Sequence, residues 1–272
     1  MDDSTDPESL RLLEGSLRTT MAAASGAKLD AALTELGWHD MLDEMPGVAA
    51  PLVFRLLGET GAHAPVLNDV LARAAGAPPG GAMPLPFAGG SWVIWERGEG
   101  ADAAIDESLP IRLVPQGNPL PGPALAAGRR ALGWWLVGAG RAMLWLARRH
   151  ALDRVQFGRH ISSFQAIRHR LAETLVAIEG AEATLHTAEQ VDAHDGLASL
   201  LAKAAAGQAA LTAARHCQQV LGGFGFTAEH PLHHHVKRSL ILDGLLGSAR
   251  ELTREAGKAL VDKRSAPRLA QL

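Results

Sequence analysis

Two runs of Pro and Gly constrain this chain more than any other feature. They are Gly76-Ala-Pro-Pro-Gly-Gly-Ala-Met-Pro-Leu-Pro86 and Pro115-Gln-Gly-Asn-Pro-Leu-Pro-Gly-Pro123. Helices and central strands do not run through such segments, because Pro lacks a backbone donor and Gly loses the most entropy on ordering. The 272 residues therefore divide into a helical region 1–76, a middle segment 77–122 and a helical region 123–272. The middle segment is too short for an independent barrel with its own core.

Periodicity fills in the three regions. Apolar residues recur at three and four over Leu10 to Ala23 and Ala27 to Leu36, and Gly37 with Trp38 closes the second helix. Further helices are expected over Ala49 to Leu57 and Pro65 to Ala75. The period then shortens: Ser91-Trp-Val-Ile-Trp95 and Pro110-Ile-Arg-Leu-Val114 read as short strands of a small sheet. After the second breaker the pattern is helical to the end. Ala124 to Ala151 forms one helix. Phe164, Ile167, Leu171, Leu175, Ile178 and Leu185 form the apolar stripe of another. Ala198 to Leu221 forms a third, stopped by Gly222-Gly223, and a last helix is expected over Pro231 to Leu260. With 47% hydrophobic residues, 4% aromatics and no Tyr, these helices pack mostly through Ala and Leu. The fold class is mainly α: an N-terminal helical domain, a reduced β segment and a C-terminal four-helix bundle.

Charge and cysteine usage narrow the function classes. Lys plus Arg total 26 against 29 Asp plus Glu, a net charge of -3, which argues against a nucleic-acid binder carried by bulk positive charge. One cysteine, Cys217, allows no internal disulfide and suits a reducing, cytoplasmic setting. It reads as a packed thiol. The acidic start Met-Asp-Asp-Ser-Thr-Asp-Pro-Glu is unlike a secretory signal, so no export is expected. The apolar stretch Ala131 to Ala147, interrupted by Arg141, falls short of the roughly 20 residues of a membrane span. His230 and His233-His234-His235 invite a metal, but adjacent helical positions point about 100° apart, so no metal site is expected. Arg148-Arg149-His150, at a helix C-terminus, complements the helix dipole.

Two segments carry more information. In Arg154-Val-Gln-Phe157-Gly158-Arg-His-Ile161-Ser-Ser-Phe164-Gln165, an Arg and a Phe ahead of a Gly make a helix-to-helix turn suited to a phosphate and a flat ring. In Gln218-Gln219-Val-Leu-Gly222-Gly223-Phe224-Gly225-Phe226, followed by Pro231, paired glycines at a helix end let a ligand approach the backbone. Taken singly, each is as well read as a helix cap. Together they resemble the C-terminal helical domain of the acyl-CoA dehydrogenase family, over about Ala124 to Leu260. Leu33-Thr-Glu-Leu-Gly-Trp38 resembles that family's N-terminal helical domain. The resemblance implies an acyl-CoA dehydrogenase-like fold and FAD as cofactor, shared at a subunit interface. It carries FAD contacts onto Arg154, Phe157, Gln165, Gln219, Gly222 and Gly223.

The departures from the family pattern matter as much. Family members remove an α proton from an acyl thioester with a Glu base while the β hydrogen leaves as hydride to the flavin. Aligned without gaps from Pro231, the motif carrying that Glu falls on Leu245-Leu246-Gly247-Ser248, so Leu246 stands at the base position. A branch of the family places its Glu on the first bundle helix, and no Asp or Glu occurs from Ser108 to Leu152. Asp243 is a weak alternative, because reaching the motif would need a three-residue gap inside a helix. The family's own-flavin segments are absent from 76–121, with Trp92-Val-Ile-Trp95 a faint echo of one. The expectation is a half-site subunit without a catalytic residue of its own. Its partner would be a homologous full-length subunit carrying the Glu base, in an α2β2 heterotetramer. This arrangement resembles the heteromeric enzymes of steroid side-chain degradation, acting on a bulky acyl-CoA. The alternatives are a self-sufficient homo-oligomer using Asp243 and a flavin-free scaffold subunit.

Overall fold

The computed structural model describes residues 6–97, 104–106, 109–190 and 196–264. The acidic stretch 1–5 lies outside them. The N-terminal region forms α1 (Pro7–Ala23), α2 (Ala27–Glu35), α3 (Trp38–Glu44), α4 (Pro46–Thr60) and α5 (Leu67–Ala74). Helix α1 starts where the Asp6 side chain accepts from the Ser9 N–H and Pro7 takes the first turn, where a missing donor costs little. Gly37 and Trp38 do more than close α2. Gly37 is left-handed and Trp38 opens α3, burying its indole in the core.

The middle segment forms β1 (Pro84–Phe87), β2 (Ser91–Trp95), β3 (Ala104–Asp106) and β4 (Leu109–Val114), an antiparallel sheet in the order β1-β2-β4-β3. Strands β2 and β4 fall where the alternation places them. Strand β1 lies inside the first breaker run, where two prolines hide it from a propensity reading. It is an edge strand, the position that tolerates Pro.

The C-terminal region contains α6 (Gly122–Asp153), α7 (Gln165–Gln190), α8 (Gly196–Leu221), α9 (Leu232–Gly244) and α10 (Ala249–Lys263). Helix α6 is the axis of the molecule and is buried on every side from Ala131 to Gly140. Helix α4 crosses it at Gly58 and Gly138, where a Cβ on either glycine would run into the facing backbone. An aromatic chain links the three regions around the same helix. Trp38 neighbours Phe54 (6.4 Å), Phe54 meets Trp135 edge-on (5.6 Å), and Trp135 stacks on Trp95 of β2 (5.5 Å).

Two expectations need correction, the stripe on α7 and the single last helix. The apolar stripe on α7 is only partly buried: Ile178 and Leu185 are in the core, but Leu175 is exposed. Helix α8 is long and apolar enough to cross a membrane by length and composition, although 72% of its most apolar window is buried inside the fold. The single last helix is two helices, separated at 245–248. The break has a local cause. Ser248 accepts from the Glu251 N–H and Glu251 accepts from the Ser248 N–H, a capping box that starts α10. Leu246 and Gly247 adopt positive φ of 56° and 100°.

Candidate functional site

Helix α6 ends at Arg154, whose N–H donates to the His150 carbonyl (2.9 Å). The chain then turns sharply through β5 (Val155–Gln156) and β6 (Arg159–His160), paired in register Val155↔His160 and Gln156↔Arg159. The two residues between them, Phe157 and Gly158, have φ of 53° and 76°. This is the two-residue hairpin turn that demands left-handed backbone, which glycine supplies freely and Phe adopts at a cost. Phe157 sits at the tip, 91% exposed, edge-on to Phe164 (6.1 Å). The Arg159 guanidinium covers the Phe164 ring at 4.2 Å. The Ile161 N–H closes the hairpin onto the Arg154 carbonyl (2.9 Å).

Helix α8 ends at Leu221, and residues 222–226 wind into a 3-10 turn that begins with a left-handed Gly222. Gly225 lies tight against the Gln218 backbone. Phe224 and Phe226 remain 55% and 67% exposed.

These two ends meet. An open cleft of about 550 Å³ has Arg154, His150, Gln156 and Ile161 on one wall and Val220 to Phe224 with Thr227 and Glu229 on the other. The structure thus brings Arg154, Gly222 and Gly223 into one site. Three other candidates lie outside the cleft's lining: Phe157 at the hairpin tip, Gln219 exposed on α8, and Gln165 exposed at the start of α7, 3.4 Å from His169. Sequence reading assigned His150 to the helix dipole and passed over Glu229. The available signal was spacing, since His150 precedes Arg154 by one helical turn. Burial, with Arg154 and His230 nearby, lowers the His150 pKa against a weaker opposing effect of Asp153. Burial also lowers that of His230, whose Nδ1 accepts from the Leu232 N–H (3.1 Å). The resulting site has a cationic end, an apolar wall and a carboxylate at its rim.

Leu246, expected at the family's base position, is core. It is 1% exposed and packs on Leu71 of α5 and Gly128 of α6. Its N–H donates to the Pro86 carbonyl (2.8 Å) and its carbonyl accepts from Arg129 Nε (3.2 Å). Lys203 of α8, fully buried, donates from Nζ to the carbonyls of Asp243 (2.8 Å) and Gly247 (2.6 Å). Two cations therefore pin the break between α9 and α10.

Asp243 occupies the last turn of α9, immediately before that break, so the argument from an uninterrupted helix does not apply to it. Its Oδ1 accepts from the Ala249 N–H (3.0 Å) at the start of α10, and the carboxylate fills the space beside Gly207. Burial raises its pKa, against the opposing pull of Lys203. The geometry is that of a structural acceptor, and Asp243 does not line the cleft. Of the histidines, His235 turns inward beside Gly61, and burial drops it to about 4. Among the described residues no group of three or more His, Cys, Asp or Glu is placed to hold a metal ion. Cys217 is buried, and desolvation pushes its thiol up to about 12.

Residues 116–260 match the family described as acyl-CoA dehydrogenase, C-terminal domain. The chain is 40% identical over 118 residues to acyl-CoA dehydrogenase IpdE2 of Mycobacterium tuberculosis, a match covering 43% of this chain and 36% of that protein. It is 33% identical over 205 residues to acyl-CoA dehydrogenase FadE34 of the same organism, covering 67% of this chain and 28% of that protein. The chain thus matches about a third of the length of these curated relatives. Among solved structures, the Tcur3481-Tcur3483 steroid ACAD G363A variant superposes with a TM-score of 0.73 at 18% identity, covering 96% of this chain and 99% of that one. The ChsE4-ChsE5 complex from Mycobacterium tuberculosis superposes with a TM-score of 0.63 at 21% identity, covering 98% and 100%. At these identities the structural likeness is one of fold.

Proposed function

The chain belongs to the acyl-CoA dehydrogenase family, and from that premise we propose that it is a subunit of a heteromeric, FAD-dependent acyl-CoA dehydrogenase. In this reading it completes a flavin site whose catalytic carboxylate belongs to a partner subunit. One observation carries the proposal. Two family motifs far apart in sequence converge on one cleft, while the position of the family's base is sealed into the core.

The cleft's residues fit a dinucleotide. Arg154 offers a planar, permanently charged fork for a diphosphate. Gly222 and Gly223 place no side chain over their stretch of the opposite wall, so that a ligand can approach the main chain there. Ile161, Val220 and Leu221 give apolar surface for a ring. Phe157, on its strained turn, stands ready for an aromatic face supplied by the partner. When bound, FAD would accept the β hydrogen of the acyl group as hydride.

Proton abstraction is a different matter for this chain. Leu246 has no group that accepts a proton, and Asp243 already spends one carboxylate oxygen on the α10 N-terminus. A homologous partner carrying the Glu, in an α2β2 assembly, is the arrangement that supplies the missing base. For the acyl group we place a bulky, steroid side-chain type of thioester, by analogy with a fold neighbour titled a steroid ACAD.

The test is to purify the chain alone and with candidate partner subunits, reading flavin absorbance and oxidation of steroid and short-chain acyl-CoAs. The proposal expects a colourless chain alone, a yellow and active complex, and less flavin in an Arg154→Ala complex. A single chain that holds stoichiometric FAD and turns over would refute it. Unchanged flavin content in the Arg154→Ala complex would favour a scaffold role.

A further inference from the structure

Resting on the reading of the cleft as a diphosphate site, we propose that His150 is a second anion-binding residue there, engaging the diphosphate through a protonated imidazole, so that the cleft holds its ligand more tightly as pH falls.

The argument starts from placement. His150 lies in the last turn of α6, and Arg154 caps the same helix, so both side chains reach the cleft from one wall. A single guanidinium neutralises about one of the two charges of a diphosphate diester. A second donor beside it has an electrostatic task that nothing else on this wall performs, since Gln156 and Ile161 are uncharged. The groups facing His150 are Arg154 and Asp153 at its own helix end, and His230 and Glu229 on the segment preceding α9.

Partial burial, with Arg154 nearby, favours the neutral ring. An entering diphosphate reverses that balance, because its charge offsets Arg154 and rewards a proton on His150. Binding therefore takes up a proton, and by linkage affinity rises as pH falls through the imidazole range. Glu229, across the cleft, is an acidic group that works against the anion and leaves the direction unchanged.

The test uses the complex with the partner subunit after removal of its flavin, with ADP-ribose as probe, because its diphosphate diester keeps a constant charge across the range. Affinity would be measured by calorimetry or ligand-observed NMR at about pH 5.5 and about pH 8, bracketing the ordinary imidazole pKa. The parent should bind roughly fivefold tighter at the lower pH, the scale of one partly exposed charge pair. His150→Gln should remove that dependence. His150→Lys should hold the tight value at both pH values, an outcome that a purely structural role for His150 would not produce. Arg154→Ala should weaken binding at both.

If His150→Gln keeps the parent's pH dependence, or His150→Lys fails to flatten it, the proposal falls while the cleft reading survives through Arg154→Ala. If the parent does not bind ADP-ribose, or Arg154→Ala has no effect, the cleft reading falls and takes this proposal with it.

Discussion

Two buried residues at the break between α9 and α10 have opposite chemical characters and the same structural task. Leu246 plugs the space between Leu71 and Gly128, and Lys203 holds the carbonyls on either side of it. Introducing an acid by Leu246→Glu would place a carboxylate in the apolar space beside Leu71 and Gly128. The expected outcome is a loss of about 3 kcal/mol or more of stability with no gain of activity, measured by urea unfolding and acyl-CoA oxidation. Lys203 gives a pH signature. Burial drops its pKa from the ordinary 10.5 to about 7. Below that value both folded and unfolded chains hold the proton, and the cost of the buried charge is fully present. Between about 7 and 10.5 the unfolded chain binds more protons, so stability rises with pH. The parent should therefore gain stability between neutral and mildly alkaline pH. Lys203→Met should lose that slope, with a lower baseline from two unpaired carbonyls.

At the scale of elements, the reduced sheet is fastened to the helices by a buried ionic network. Asp69 of α5 accepts from Trp38 Nε1 (3.1 Å), from the Gly80 N–H (3.1 Å) and from Arg97, which also forks onto Asp30 of α2 at 2.8 and 2.9 Å. Asn68 beside it donates to the Trp95 carbonyl (2.9 Å). Removing Asp69 leaves the Trp38 Nε1–H and the Gly80 N–H without their acceptor, while Arg97 keeps Asp30. Asp69→Ala should cost about 2–4 kcal/mol, and thermal melting should register that loss against a smaller one for the half-exposed Arg112–Glu96 pair. None of these partners could be paired from sequence, because they lie on different elements. The elements themselves were more legible. Strands β2 and β4 and helices α6 and α8 follow their periodicity closely. Helix α3 and strand β3 were not expected, and at two further misread places, β1 and the α9–α10 break, tertiary pairing outweighs local propensity. Strand β1 survives its prolines because β2 pairs with it, and Leu246 sits in left-handed backbone because Pro86 and Arg129 bond it there. One local sign of the break was available, the Ser248-x-x-Glu251 capping box.

At the scale of the whole molecule, several exposed apolar side chains flank the two ends that form the cleft. Leu152, Val155 and Phe157 lie on one side, Phe224 and Phe226 on the other. The proposed partner would cover them. Binding of the proposed partner should slow amide exchange over 155–164 and 222–229. The double change Phe157→Ser with Phe226→Ser should weaken the complex at least about tenfold while leaving the melting of the isolated chain unchanged. Unaltered exchange in those two segments would mean that the partner sits elsewhere.

The sequence by itself determined the helical character of the chain, the place of its small sheet, and the two motifs that tie it to its family. Each of these is written in local periodicity or in a short run of residues. The tertiary structure alone decided which motif residues share a cleft, that His150 and Arg154 face Gly222 and Gly223 across it, and that Leu246 is sealed into the core. Those outcomes depend on segments more than sixty positions apart packing to within a few ångströms, and on buried groups finding donors and acceptors on other elements. No pattern along one stretch of chain encodes such a meeting.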